Sequence, residues 1–160
     1  MEINYNEVKK IKLSHLKHYV LREDMKSNFS DSEDSQHHYK LLSYIAKQKD
    51  NQLIYELGTH WGLGSVALST NNTNKIITYD VADRTHIDLP TNIEQRVGNI
   101  FNLGQEDELL NADIIFLDTA HEGPFENLVY QHLKLMKWKG ILILDDINFN
   151  KPMREFWNSI

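Results

Sequence analysis

A chain of 160 residues with 41% hydrophobic and 10% aromatic content is long enough for one domain with a buried core and short for two. A formal charge of −6 withholds the basic footprint that a nucleic-acid backbone demands, and with no cysteine there is no disulfide framework, zinc-thiolate centre or thiol nucleophile. No apolar run reaches the ~20 residues of a membrane span, and the opening MEINYNEVKKIKLSH lacks the apolar region of a signal peptide. The expectations are therefore no nucleic-acid partner, no membrane partner and a cytoplasmic setting.

Residues 1–50 read as a helical cap that belongs to the same domain as a core over 51–160. Two helices are expected in the cap, Glu7 to Leu21 and His37 to Gln48, joined by the polar segment Lys26 to Ser35, whose composition suits a mobile linker. Ile11, Leu13, Leu16, Tyr19 and Val20 on the first, and Leu41, Leu42, Tyr44 and Ile45 on the second, give each helix one face to bury on a sheet. From Leu53 onward, short apolar runs alternate with helices or loops: LIYEL, KIITYD, QRVGN, ADIIFLD and GILILDD are five expected strands. Helices are expected at Gly64 to Thr70 and at Pro124 to Lys137. The crossover VADRTHIDLPTNIE, interrupted by Pro90, has room for a turn or two of helix. The last segment, NKPMREFWNSI, reads as the start of another helix.

The residues with chemistry stand at the ends of these strands. LIYELGTHWGLGS carries Glu56 ahead of Gly58, Gly62 and Gly64, a spacing unlike the G-x-G-x-x-G that draws a pyrophosphate onto a helix N-terminus. An ionised acid there would repel a diphosphate and suits a ligand with positive charge. Asp80 ends the second strand, where a carboxylate can accept from both hydroxyls of a ribose or simply cap a turn. Asn99 follows the third strand, and its amide can read an adenine edge or form an ordinary Gly-Asn turn. Asp118, Asp145 and Asp146 end the fourth and fifth strands, which in an open parallel sheet face one crevice. Carboxylates that converge repel one another, and a divalent cation relieves the repulsion; Mg²⁺, a hard ion that takes oxygen ligands, fits best. The alternative is that one of Asp145 and Asp146 caps the following turn. His121 lies on the loop after the fourth strand, where an imidazole can serve as a general base or face water.

The glycine loop resembles motif I of class I methyltransferases, which bind S-adenosylmethionine. YELGTHWGLGS, IITYD, RVGN, FLDTAH and ILILDDIN follow the order and spacing of metal-dependent O-methyltransferases similar to catechol O-methyltransferase. FLDTAHEGPFENLVYQHLKLMKWKGILILDDIN looks closer still to the antibiotic- and sugar-tailoring enzymes of that kind. The resemblance covers Leu53 to Trp157. It implies a Rossmann-like α/β three-layer sandwich with a mainly parallel sheet of order 3-2-1-4-5. It also implies that Glu56, Gly58, Thr59, His60, Gly62 and Gly64 hold the methionine part of the cofactor, Asp80 the ribose and Asn99 the adenine. Asp118, also beside the cofactor, would hold Mg²⁺ with Asp145 and Asp146, and His121 would take the proton of a small-molecule hydroxyl as it is methylated.

The pattern breaks after strand five, where the family's strands six and seven are lacking. GILILDD is then an open edge, and an apolar edge invites pairing with another chain. A homo-oligomer is expected through Ile141 to Leu144 and the aromatic tail Phe156 and Trp157, with the N-terminal helices as the competing cover. Two rival functions stay open. One is a cofactor-binding protein without catalysis; the other is an enzyme that cleaves the cofactor without an acceptor.

Overall fold

The computed structural model describes residues 2–19, 33–85 and 87–160, so most of the linker segment and His86 lie outside the described residues. Five strands, β1 (Leu53–Leu57), β2 (Lys75–Asp80), β3 (Ile93–Val97), β4 (Ile114–Leu117) and β5 (Ile141–Leu144), form one sheet of order β3-β2-β1-β4-β5. Every pairing is parallel. This is the expected α/β architecture. Its cause is visible in β4, where Ile114, Ile115, Phe116 and Leu117 are all buried. A strand covered on both faces needs no polar alternation.

Alternate residues of the central strands enter two separate cores. Ile54, Ile76, Ile114 and Phe116 pack with Leu13, Leu16, Leu42 and Ile45 of the N-terminal segment and with α3 (Leu63–Leu68). Tyr55, Leu57, Ile77, Tyr79, Ile115 and Leu117 pack on the other side with Val129 and Leu133 of α4 (Pro124–Leu135). The sheet is thus the middle of three layers. The chain moves from β3-β2-β1 to β4-β5 by reversing direction across the sheet, which opens a crevice at the carboxyl ends of β1 and β4.

The first expected helix is broken. Helix α1 (Tyr5–Lys10) ends at an extended Ile11, and a 3-10 turn follows at Leu16–Tyr19. On a straight helix Val8 and Leu13 would lie about 140° apart, and the break lets both bury. The second begins earlier than expected, as α2 (Glu33–Ala46). The β2–β3 crossover forms no helix among its described residues. Among the described residues no helix is long and apolar enough to cross a membrane.

The tail forms α5 (Lys151–Ser159), capped by Asn150 Oδ1, which accepts from the Met153 amide at 2.9 Å. It packs on α4, with Phe156 buried against the ring of Tyr130. Phe156 is therefore an internal contact, and only Trp157 of the aromatic tail is exposed.

Candidate functional site

The loop from β1 to α3 is shaped by what passes beneath it. Gly58 has φ +107°, and a Cβ built there would collide with the Asp118 carbonyl oxygen. Only glycine permits both that backbone and that approach. The amides of Gly58 and Thr59 donate to the Tyr79 carbonyl at 2.8 and 3.1 Å, which ties the loop to the end of β2. The buried Thr59 shares a 2.6 Å hydroxyl contact with Thr78.

Glu56 does not reach a ligand as an open charge. It is buried under α3, accepting from Thr78 Oγ1 at 2.6 Å and from Ser65 Oγ. Gly64 is bare because a Cβ there would collide with Glu56 Oε1. Burial pushes the Glu56 pKa up to about 8, despite the hydrogen bonds from Ser65 and Thr78. The carboxyl expected to face a ligand thus lies under α3, with its oxygens engaged by the hydroxyls of Ser65 and Thr78. Its work is to hold the loop to α3 and β2.

Two hollows adjoin at this loop. The larger, about 530 Å³, is lined by Asp80, Gly98, Asn99 and the post-β4 residues Thr119, Ala120 and His121, with Phe125. The smaller, about 400 Å³, is lined by His38, Tyr39, Glu56, Trp61, Asp145 and Asp146. Gly58, His60 and Asp118 line both. A molecule with a flat polar head in one hollow and a charged tail in the other would lie across Gly58.

Asp80 and Asn99 stand on the larger side as expected, each already engaged with backbone. Asp80 accepts from the His60 amide at 2.8 Å and from the Ala82 amide at 3.1 Å, one at each oxygen. Each oxygen keeps a second lone pair for a hydroxyl. Asn99 Oδ1 accepts from the amides of Phe101 and Asn102 at 3.0 and 3.4 Å. Of the two ways an amide can read an adenine, this turn favours donation through Nδ2.

The acids after β4 and β5 come together only in part. Burial and the neighbouring Asp145 push Asp118 up to about 6, against the pull of His38 and His121. Asp145 is also partly buried, yet the hydrogen bond and charge of His38 outweigh this and hold its pKa below the usual carboxylate value. Burial likewise opposes the charge of His38, and Asp145, Asp118 and Glu56 overcome it, so its pKa is raised. Among the described residues, the group whose donor atoms all lie within 4.8 Å of one another is His38, Asp118 and Asp145. Asp146, the expected third ligand, is not in it. Its backbone sits at φ +48° and its Oδ2 lies 3.5 Å from His121 Nε2.

His121 is brought to the crevice as expected, with Nε2 also 3.4 Å from Asp118 Oδ1. Its Nδ1 is buried without a hydrogen-bond partner among the described residues, and its ring packs against Phe149 at 5.4 Å. The main chain there, at φ +56°, is held from both sides. The His121 amide donates to Glu126 Oε1 at 3.1 Å, and its carbonyl accepts from Asn150 Nδ2 at 2.6 Å. Glu126 also accepts from Thr119 Oγ1 at 2.6 Å and from the Gly123 amide at 2.8 Å.

His38, Glu126 and Asn150 were absent from the expected set. Glu126 had a signal, since an acid three residues inside a helix start is half of a capping box. Asn150 before Lys-Pro had one too, as an N-cap. His38 had none.

The sequence matches no protein-family model and no curated protein. Solved structures do resemble the fold. An O-methyltransferase from Bacillus cereus in complex with SAH shares 20% identity over 94% of this chain and 80% of its own, with a TM-score of 0.60. The SAH-bound Podospora anserina methyltransferase PaMTH1 shares 15% over 99% of this chain and 84% of its own, with a TM-score of 0.59. Cofactor-bound Rv0187 from MTB shares 15% over 78% of this chain and 66% of its own, also at 0.59. At these identities the likeness is one of fold: the chain has the Rossmann-like sheet of S-adenosylmethionine-dependent O-methyltransferases across most of its length.

Proposed function

We propose that the protein binds S-adenosylmethionine across Gly58 and transfers its methyl group to a hydroxyl of a small molecule, with a divalent cation, Mg²⁺ on the expected assignment, at the acids. The observation that carries this reading is the meeting of the two hollows at Gly58, His60 and Asp118. One offers hydroxyl and amide partners, Asp80 and Asn99; the other offers carboxylates and imidazole. The sulfonium supplies an electrophilic methyl, for which the acceptor oxygen must stand in line at about 3 to 3.5 Å.

The donor set at the acids fits a divalent ion, with two carboxylates and an imidazole within 4.8 Å. Asp118 and Asp145 would hold it, with Asp146 alongside on the expected assignment. A cation there would lower the pKa of an acceptor hydroxyl. His121 would take the proton at Nε2, the ring atom that faces the crevice, because Nδ1 is enclosed. Calorimetry with S-adenosylmethionine, followed by product analysis, tests the reading. S-adenosylhomocysteine in the presence of an acceptor supports transfer, methylthioadenosine indicates cleavage, and binding without turnover indicates a non-catalytic role.

Asp80→Ala should weaken cofactor binding by about 1.5 to 3 kcal/mol, since charge-assisted hydrogen bonds of that worth are lost. That is roughly a 10- to 100-fold rise in Kd. An unchanged Kd by calorimetry would remove Asp80 from the site.

A homodimer across the outer side of β5 belongs to the same proposal, because among the described residues β5 pairs with β4 alone. Its contact surface excludes Phe156. Light scattering at micromolar concentration should give twice 18.8 kDa; a clean monomer ends the dimer proposal.

A further inference from the structure

Helix α2 delivers a histidine to the acids at the end of the sheet. His38 Nδ1 lies 3.3 Å from Asp145 Oδ2, with both side chains about a quarter to a third exposed. Its ring stands edge-on to Phe116 at 5.5 Å and to Tyr39 at 5.0 Å, which fixes the imidazole plane over the carboxyl end of β4. A divalent ion held at about 2.1 Å places neighbouring ligands about 3 Å apart and opposite ones about 4.2 Å apart. Donor atoms that already lie within 4.8 Å of one another can close on such an ion by side-chain rotation alone. The open side faces the smaller hollow, where Trp61 and His60 leave room for further ligands.

Asp146 is aimed elsewhere. It faces His121 from a left-handed backbone, and no group containing it reaches the same spacing among the described residues. The chemistry of the donors differs accordingly. A set of carboxylates suits Mg²⁺, whereas one imidazole among them shifts preference toward first-row ions that accept nitrogen.

We propose that His38 is a protein ligand of the divalent ion, taking the place expected for Asp146, and that the site therefore prefers Co²⁺ or Mn²⁺ over Mg²⁺. What the ion does there rests on the function proposed above; whether it binds through His38 does not. The ion would also tie the N-terminal segment to the sheet, because its ligands come from α2, the post-β4 loop and the end of β5.

The test uses the full chain stripped of metal. Co²⁺ is titrated in by visible absorption, Mg²⁺ by calorimetry, and nitrogen coupling to bound Mn²⁺ is read by pulsed electron paramagnetic resonance. Co²⁺ should bind more tightly than Mg²⁺. His38→Ala and the bulkier His38→Gln should each weaken Co²⁺ by more than about 100-fold, beyond the roughly 10- to 100-fold cost of losing an outer-shell contact. Both should weaken Mg²⁺ less, and circular dichroism confirms that the variants are folded. The nitrogen coupling should vanish in His38→Gln and survive in His121→Ala. Unchanged Co²⁺ affinity in both His38 variants, or coupling that persists without His38, overturns the proposal and returns the third position to an oxygen ligand. If neither ion binds the wild type, the ion site itself is overturned. S-adenosylmethionine binding in the same metal-free samples then reports separately on the transferase reading.

Discussion

His121→Ala should lower the methyl-transfer rate constant by about 10²- to 10⁴-fold, the usual worth of a general base, with cofactor affinity nearly intact. The split follows from where the groups stand. Asp80 and Asn99 hang from the ends of β2 and β3, while His121 sits beyond β4 with Nε2 toward Asp118 and Asp146 at 3.4 and 3.5 Å. Those carboxylates compete for the same ring atom. Single-turnover rates that stay unchanged in the variant would show that the imidazole takes no proton in the reaction. That result would reassign His121 to the placement of Asp118 and Asp146.

Gly58→Ala should destabilise the fold by roughly 4 kcal/mol or more, in the range reserved for a few severe mechanisms. Two act at once here. The φ of +107° is strained for any side chain, and the new methyl group would occupy the Asp118 carbonyl oxygen. Neither side can yield cheaply, since both are backbone at the ends of adjacent strands. Gly104→Ala is the internal comparison: it too has positive φ, at +65°, but nothing lies within 4 Å of a Cβ there. Its cost should be about 1 to 2 kcal/mol, the left-handed penalty alone. Urea unfolding of the pair decides the matter, because equal losses would mean that the crossing over Asp118 is not what requires glycine at position 58.

The strands were legible because burial on both faces leaves a mark that local sequence can carry. LIYEL and KIITYD are strands to the residue, QRVGN is shifted two residues along from β3, and ADIIFLD and GILILDD lose flanking residues at both ends, of which Asp118, Asp145 and Asp146 lie at the crevice end. The break after Lys10 was not legible, since it lets Val8 bury while Leu13 and Leu16 enter a core shared with strands formed much later in the chain. At the site, the positions of Asp80, Asn99, Asp118 and His121 followed from strand ends. Their partners did not. Glu56 reads as an open acid until α3 is laid over it, and then burial raises its pKa. His38 is one of two adjacent histidines beside a polar segment, and only the packing of α2 on the sheet brings one of them to Asp145. A long-range contact made by a single side chain leaves no periodicity to read.

Consider, finally, how the His121 peptide is gripped. Its amide is bound by Glu126 from α4 and its carbonyl by Asn150 from the cap of α5. These residues lie five positions and twenty-nine positions away in the chain. An engineer who varies only the residues facing the crevice would leave both helices untouched and keep the imidazole where it stands. One who recombines the segment after β5 from another protein would exchange Asn150 unawares. The portable unit for redesign is therefore not the loop 118–123 but the loop together with the first turns of two helices, and a graft that respects this boundary carries its own alignment with it.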